Sequence, residues 1–301
     1  MASDSMQDIK RRIKSVTSTE HITNAMKLVS AGKLRKAKAI FEKTNANSHY
    51  ITHTIAEIFH SGQDIPQEYL AGNREIKTTC YIVVTSGRGL CGGFNSNVLK
   101  EAQREIDTDW EEPIIYAIGT KGKEYFEKRG YKIYGDYLAP PEDISFLETR
   151  EMSLPIIDMY NRGEIDEVVL IYTSFISSME QEVKNITLLP FEVEEDPDIM
   201  RNSKPVEYEP SVEAVFNYLV PKYVETMIYA AVVESATCEH AARRTAMENA
   251  TDNAREMLEQ LSLNYNRARQ SAITDEIIEI VAGSDEQIKE ALCEDTDAHL
   301  R

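Results

Sequence analysis

The chain has 301 residues, 42% of them hydrophobic, enough to bury a core and to exclude a wholly disordered polymer. Its 33 Lys+Arg stand against 51 Asp+Glu, and a formal charge of −18 would be repelled by phosphate backbones, which excludes a general nucleic-acid binder. No window approaches the roughly 20 continuous apolar residues of a bilayer-spanning helix, and the opening MASDSMQDIK lacks the apolar run of a signal peptide, so the chain is expected to be soluble and to stay where it is made.

The charge is graded along the chain. Residues 1–43 hold ten Lys/Arg and four Asp/Glu, residues 44–210 fifteen and thirty, and residues 211–301 eight and seventeen, so a basic leading segment introduces an acidic protein. Gly and Pro, the residues that punctuate helices, are just as uneven: all but Gly32 and Gly283 lie between Gly62 and Pro221.

The first element follows from that distribution. Residues 4–61 contain Gly32 as their only breaker, and apolar residues recur at helical spacing as Ile9, Ile13, Val16 and again as Ile22, Met26, Val29. At about 100° per residue the second trio falls nearly opposite the first. Either the helix coils around a mate or different proteins touch its different sides. The clusters Lys10, Arg11, Arg12, Lys14 and Lys33, Arg35, Lys36, Lys38 read either as a solvated face or as a surface for an acidic partner.

The middle alternates strand and helix. KTTCYIVVT (77–85) ends in a glycine-rich turn before helical spacing from Asn95 to Ile106. PIIYAI (113–118) precedes a helix at Lys121–Lys128, YKIY is a short third strand, and a helix near Ser145–Asn161, interrupted by Pro155, leads to EVVLIYTSF (167–175). QEVKNITLLP pairs with that strand as a hairpin or edge. The order implies a small α/β domain with a mostly parallel sheet, and an acidic, Pro-containing loop (191–211) follows it.

From Lys222 to Ala282 there are 61 residues with neither breaker, rich in Ala, Glu, Arg, Met and Leu. One helix of that length spans about 90 Å, against a diameter of roughly 50 Å for a compact globule of this size. It needs a partner, since packing of an apolar stripe holds helices in water more than propensity does. Ala246, Ala250 and Ala254 would let the N-terminal helix approach closely in an antiparallel pair.

Chemistry is harder to find. TSGRGLCGGFN (Thr85–Asn95) contains GxGxxG as Gly87, Gly89 and Gly92 between a strand and a helix, which is where a dinucleotide pyrophosphate would sit. The next strand, however, ends Ala117-Ile118-Gly119-Thr120 without the acid that holds a ribose, and no GxxxxGK[ST] is present. A tight strand-to-helix turn is the preferred reading, with a dinucleotide-binding oxidoreductase using Gly87–Gly92 as the alternative. His49, His53, His60 and Glu57 share a helical face but span three turns, too far for all to reach one ion. Cys91 has no foreseeable His partner and reads as a buried thiol, and Cys80, Cys91, Cys238 and Cys293 form no CxxC pair, which fits a reducing compartment. No catalytic residue, cofactor or metal site is expected.

Four blocks, IKRRIKSVTSTEHITNAMKLVSAGKLRKAK, TSGRGLCGGFN, EYEPS and AMENATDNAREMLEQLSLNYNRARQSAITDEIIEIVAG, closely resemble the gamma subunits of F-type ATP synthases, in order and across nearly the whole chain. The resemblance implies an α/β fold class: a long antiparallel coiled coil of the N- and C-terminal helices plus a small Rossmann-like α/β domain. The segments would be a shaft helix (1–61), an α/β foot (62–210), a second shaft helix (211–283) and an acidic extension (284–301). It implies a non-catalytic rotor shaft inside a hexamer of three alpha and three beta subunits, with the foot and the epsilon subunit on the membrane c-ring, peripheral to the cytoplasmic face of the cell membrane. By matched position, Met26, Lys27, Arg243, Arg269, Gln270, Thr274, Glu276 and Glu279 would make rotor–stator contacts. Tyr208 and Glu209 would meet the c-ring, and Ile277, Ile280 and Val281 would turn in an apolar sleeve. A free-standing coiled-coil scaffold is the competing non-enzymatic reading. Two departures from the family are the 18 residues after Gly283, opened by a candidate capping box at Ser284 and Gln287, and the lack of any cysteine between Cys91 and Cys238, which excludes the thiol switch of chloroplast relatives.

Overall fold

The computed structural model describes residues 6–60, 66, 69–71, 76–108, 113–191 and 208–298, with backbone alone at 60, 282 and 284–298. Its elements in chain order are α1 (Met6–His60), β1 (Thr79–Val84), α2 (Phe94–Ile106), β2 (Ile114–Ile118), α3 (Thr120–Glu127), β3 (Ile133–Tyr137), α4 (Phe146–Arg162), β4 (Glu167–Phe175), β5 (Gln181–Leu189) and α5 (Val212–Ala298). They form two compact units, Met1–Met26 with Met247–Arg301, and Lys27–Ala246. Among the described residues no helix is long and apolar enough to cross a membrane.

In the Lys27–Ala246 unit the strands form one sheet in the order β3-β2-β1-β4-β5. β1 lies parallel to β2 and β4, β2 lies parallel to β3, and β4 pairs antiparallel with β5. β1 and β2 are buried at every position because both faces of the sheet are covered. Cys80, Ile82 and Val84 face a core built with α1, α4 and α5, while Tyr81 and Val83 face a second one built with α2 and α3. Most of the acidic loop expected over 191–211 lies outside the described residues.

Proline interrupts less than its chemistry alone predicts. α4 starts at a capping box, Ser145 with Glu148, and runs unbroken through Pro155. The carbonyl that Pro155 leaves without a donor belongs to Glu151, which is exposed, so water can satisfy it. α5 likewise starts upstream of Pro221, and the corresponding carbonyl is on exposed Asn217. At its other end α5 continues through Gly283 and Ser284 to Ala298, so Ser284 lies within a helix and not at the helix start that a capping box requires.

The helix ends pair antiparallel. In the first unit the Thr23 and Thr251 hydroxyls are 2.8 Å apart, and Arg255 Nε donates to Glu20 Oε1 at 3.1 Å. The shielded positions of α1 there step by four and three, Ile9, Ile13, Val16, Glu20, Thr23, against Met247, Thr251, Ala254, Leu258 and Leu261 of α5. In the second unit Ser30, Leu34, Ala37, Phe41, Thr44 and Ser48 keep that spacing, and Thr52 lies against Met227. A period of 3.5 holds one stripe against one mate by left-handed wrapping. Of the expected alanine row only Ala254 is buried, because a spacing of four drifts off a 3.5 seam. Ile22 and Val29 are 57% and 59% exposed, so the second apolar trio lies outside this pairing.

The turn after β3 is tied to both long helices. Glu142, in the 3-10 turn Pro141–Asp143, meets Lys33 Nζ of α1 and His240 Nε2 of α5, each at 2.5 Å. Burial pushes its carboxyl up, but the bonds from Lys33 and the His240 imidazole outweigh that and hold it below the usual range. His240 is 2% exposed, and its Nδ1 has no partner among the described residues. Burial lowers its pKa, assisted by Arg243 and Lys33 and opposed by Glu142.

Two expectations follow. Gly119 has φ 88°, and a Cβ there would stand 2.2 Å from the Thr85 carbonyl oxygen, so Gly119→Ala should destabilise the chain by about 3–5 kcal/mol, read as a lower urea midpoint. An unchanged midpoint would contradict it. Because folded His240 resists its proton, the unfolded chain takes up the proton first as pH falls through the ordinary value of 6.5, and stability falls with it. His240→Gln removes that difference, so its melting temperature should fall less than the wild type's between about pH 7 and about pH 5. Parallel slopes would refute this.

Candidate functional site

In an open α/β sheet the ligand crevice lies outside the carboxyl ends of the strands, where the strand order reverses. Here that point is between β1 and β4. The sequence places its glycine-rich turn there, with Leu90 and Gly92 both at positive φ, 64° and 59°. Asn95 pins the turn: its Oδ1 accepts from Ser86 N at 2.9 Å, while its Nδ2 donates to Ser86 Oγ at 2.7 Å and Cys91 Sγ at 3.2 Å.

The crevice is occupied by α5. Glu234 Oε1 accepts from Phe175 N at 2.7 Å and Ser174 Oγ at 2.8 Å, and Ser235 Oγ accepts from Thr173 N at 3.2 Å. One turn on, Cys238 Sγ donates to the Thr173 carbonyl at 3.5 Å. Arg243 then donates to the carbonyls of Arg88 and Gly89 at 3.3 Å, and a Cβ on Gly92 would meet Ala246 at 3.9 Å. Cys91, Phe94 and Cys238 form a small apolar plug, with Phe175 packed against it. The space a pyrophosphate would need is filled by the protein's own helix, so the dinucleotide alternative is not supported and the glycines serve the turn.

The reactive groups are quiet. Burial raises the thiols of Cys80, Cys91 and Cys238, which leaves them protonated and poor nucleophiles. His53 Nδ1 lies 3.7 Å from Glu57 Oε2, and the His60 side chain is outside the described residues. Among the described residues no group of three His, Cys, Asp or Glu is placed to hold a metal. Glu239 is buried and raised by desolvation, which Arg243 opposes across a 2.6 Å ion pair.

The remaining candidates are surfaces. In the first unit every described residue from Arg269 to Val281 is exposed, including Arg269, Gln270, Thr274, Glu276 and Glu279, and Ile277, Ile280 and Val281 are 55%, 66% and 55% exposed. Continued in the register of Thr23 with Thr251, Met6, the first described residue of α1, comes level with about residue 268, beside the start of this exposure. Met26 and Lys27 are partly covered. In the second unit Tyr208 packs at the edge of the main core, with burial raising its phenol, and Glu209 is exposed. Arg243 is engaged inside the chain, as described. No local pattern marks the Glu142 tie: Lys33 lies 109 positions before Glu142, His240 lies far beyond it, and the three share no motif.

The family profile described as ATP synthase matches residues 5–285. The ATP synthase gamma chain of Alkaliphilus metalliredigens is 45% identical over 284 residues, covering 93% of this chain and 98% of the relative. The relative named ATP synthase gamma chain, sodium ion specific, of Acetobacterium woodii is 38% identical over 299 residues, covering 94% and 98%. Among solved structures, a chain of the Euglena gracilis mitochondrial ATP synthase OSCP/F1/c-ring assembly is similar with a TM-score of 0.66 at 17% identity, covering 94% of each chain. One from the Tetrahymena thermophila central stalk and c-ring gives 0.56 at 23%, covering 76% of this chain and 99% of that one, and at such identities the two show a shared fold. With a family profile spanning nearly its whole length and relatives matched end to end, this chain belongs to the ATP synthase gamma-chain family.

Proposed function

We propose that the chain is the central rotor shaft of an F-type ATP synthase, a non-catalytic subunit that couples ion flow through a membrane c-ring to ATP synthesis or hydrolysis in a hexamer of three alpha and three beta subunits. The observation that carries this reading is the bare end of α5. Among the described residues the helix has no mate from Arg269 to Val281, and Ile273, Ile277, Ile278, Ile280 and Val281 stand 48–66% exposed. An isolated helix with that much apolar surface is poorly stable in water and fits an enclosing apolar sleeve. Apolar contact is nondirectional, so such a sleeve resists turning less than fixed hydrogen bonds would.

In this proposal Met26, Lys27, Arg269, Gln270, Thr274, Glu276 and Glu279 meet the stator, and Ile277, Ile280 and Val281 form the tip in the sleeve. Arg243 contributes through the glycine-rich loop it holds. Tyr208 and Glu209 meet the c-ring beside the epsilon subunit, and the protein is peripheral to the cytoplasmic face of the membrane. The segments are a shaft over 1–61 and 211–283, a foot over 62–210 and an extension over 284–301. An asymmetric shaft favours different conformations in three otherwise equal beta subunits, and turning it redistributes their nucleotide affinities.

A tagged copy purified from detergent-solubilised membranes should bring alpha and beta subunits and ATPase activity with it, whereas a lone, monomeric chain would favour the scaffold reading. Met26→Lys should add a rotor–stator ion pair and lower the ions pumped per ATP in membrane vesicles. Unchanged pumping per ATP would remove Met26 from the contact.

A further inference from the structure

Besides the bonds that Glu234, Ser235 and Arg243 of α5 make at the crevice, the α/β layer and the long helices of the Lys27–Ala246 unit are joined in two further ways. Beneath the sheet the joint is apolar: Ile55 and Ile58 of α1 and Phe216, Val220 and Val224 of α5 share a core with the strands. Such packing resists separation but, being nondirectional, resists sliding weakly. At the β3–α4 turn the joint is polar. Glu142 bridges Lys33 and His240, one partner on each long helix, through charge-assisted bonds whose geometry is directional.

A cavity of about 330 Å³ lies at this second joint, lined by Lys33, Glu142 and His240 together with Ala37, Ile144 and Val233. Close packing is interrupted there, so contact across the gap depends on the carboxylate. On the α5 side the turn has apolar help, from buried Ile144 and from Phe146 set edge-on to Tyr229 at 5.4 Å. Toward Lys33 the ion pair spans the gap. The neighbouring charges are paired with each other: Glu239, next to His240, is bound by Arg243, which also holds the loop after β1.

We propose that Glu142 is a positioning residue for rotation: a clasp that fixes the α/β domain in azimuth on the helix pair, so that torque passes between them without twist being lost at the joint. This rests on the rotor reading above. The clasp acts by stiffness: the apolar core and the crevice bonds of α5 keep the domain attached, and the Lys33–Glu142 pair adds the directional tie to α1 that limits rocking.

The test uses two readouts. Hydrogen exchange on the purified full chain should show amides in 138–145 exchanging about tenfold faster in Glu142→Gln, the effect of losing charge-assisted bonds. In the assembled complex, immobilised by its hexamer and carrying a bead on the α/β domain, Glu142→Gln should widen the bead's angular fluctuations during pauses while leaving the rate of ATP hydrolysis at low load unchanged. Lys33→Gln, at a half-exposed position that folding tolerates, should widen them by a smaller amount. The charge-reversed pair Lys33→Glu with Glu142→Lys should narrow them again relative to Glu142→Lys alone, a recovery that general destabilisation would not produce. Unchanged angular width in a normally assembled Glu142→Gln complex overturns the clasp and leaves the rotor reading intact. A wild-type chain that captures no hexamer overturns both.

Discussion

The packing of α5 across the carboxyl ends of β1 and β4 is the constraint on which the rest depends. An open α/β sheet leaves a crevice at the point where its strand order reverses, and the backbone groups around it need partners. Here Glu234, Ser235, Cys238 and Arg243 supply them from successive turns of one helix. Occupation of the crevice removes the place where a nucleotide would bind and fixes the direction in which α5 crosses the sheet. An architecture often used for chemistry becomes a mount for a helix.

The pairing of the helix ends has a different character. Its seam in the first unit includes Glu20 and Thr23 as well as Ile9, Ile13 and Val16, with Thr251 opposite. A seam with hydroxyls and a charge gains less from burial than an all-leucine one, but its hydrogen bonds define register. Arg255 with Glu20 and Thr251 with Thr23 each fit one alignment and would be lost on a slip of one heptad. The buried 3.5-residue spacing and the exposed Ile22 and Val29 then give α1 two faces with separate roles, one for its mate and one free.

Much of the secondary structure was legible because its causes are local. The scarcity of Gly and Pro at both ends marks the long helices, β-branched runs mark β1, β2 and β4, and Ser145 with Glu148 starts α4 where a capping box should. The errors were also local in origin. Pro155 read as an interruption, yet it sits where the orphaned carbonyl faces solvent, and that depends on which side of the helix the fold turns outward. Ser284 read as a new start, but a helix already under way passes through it.

The sequence by itself determined the helices, the alternation of strand and helix in an α/β layer, the lack of a ribose-binding acid and, through its four long blocks, the family. Each of these is encoded in neighbouring residues or in runs long enough to be recognisable. Only the tertiary structure decided that α5 fills the sheet's crevice, that the seam runs through Thr23 and Thr251 and misses Ala250, and that Glu142 ties Lys33 to His240. Those contacts join residues far apart in the chain, and which acid meets which base among 51 and 33 is settled by packing, which brings the pairs together and removes the water that would otherwise screen them.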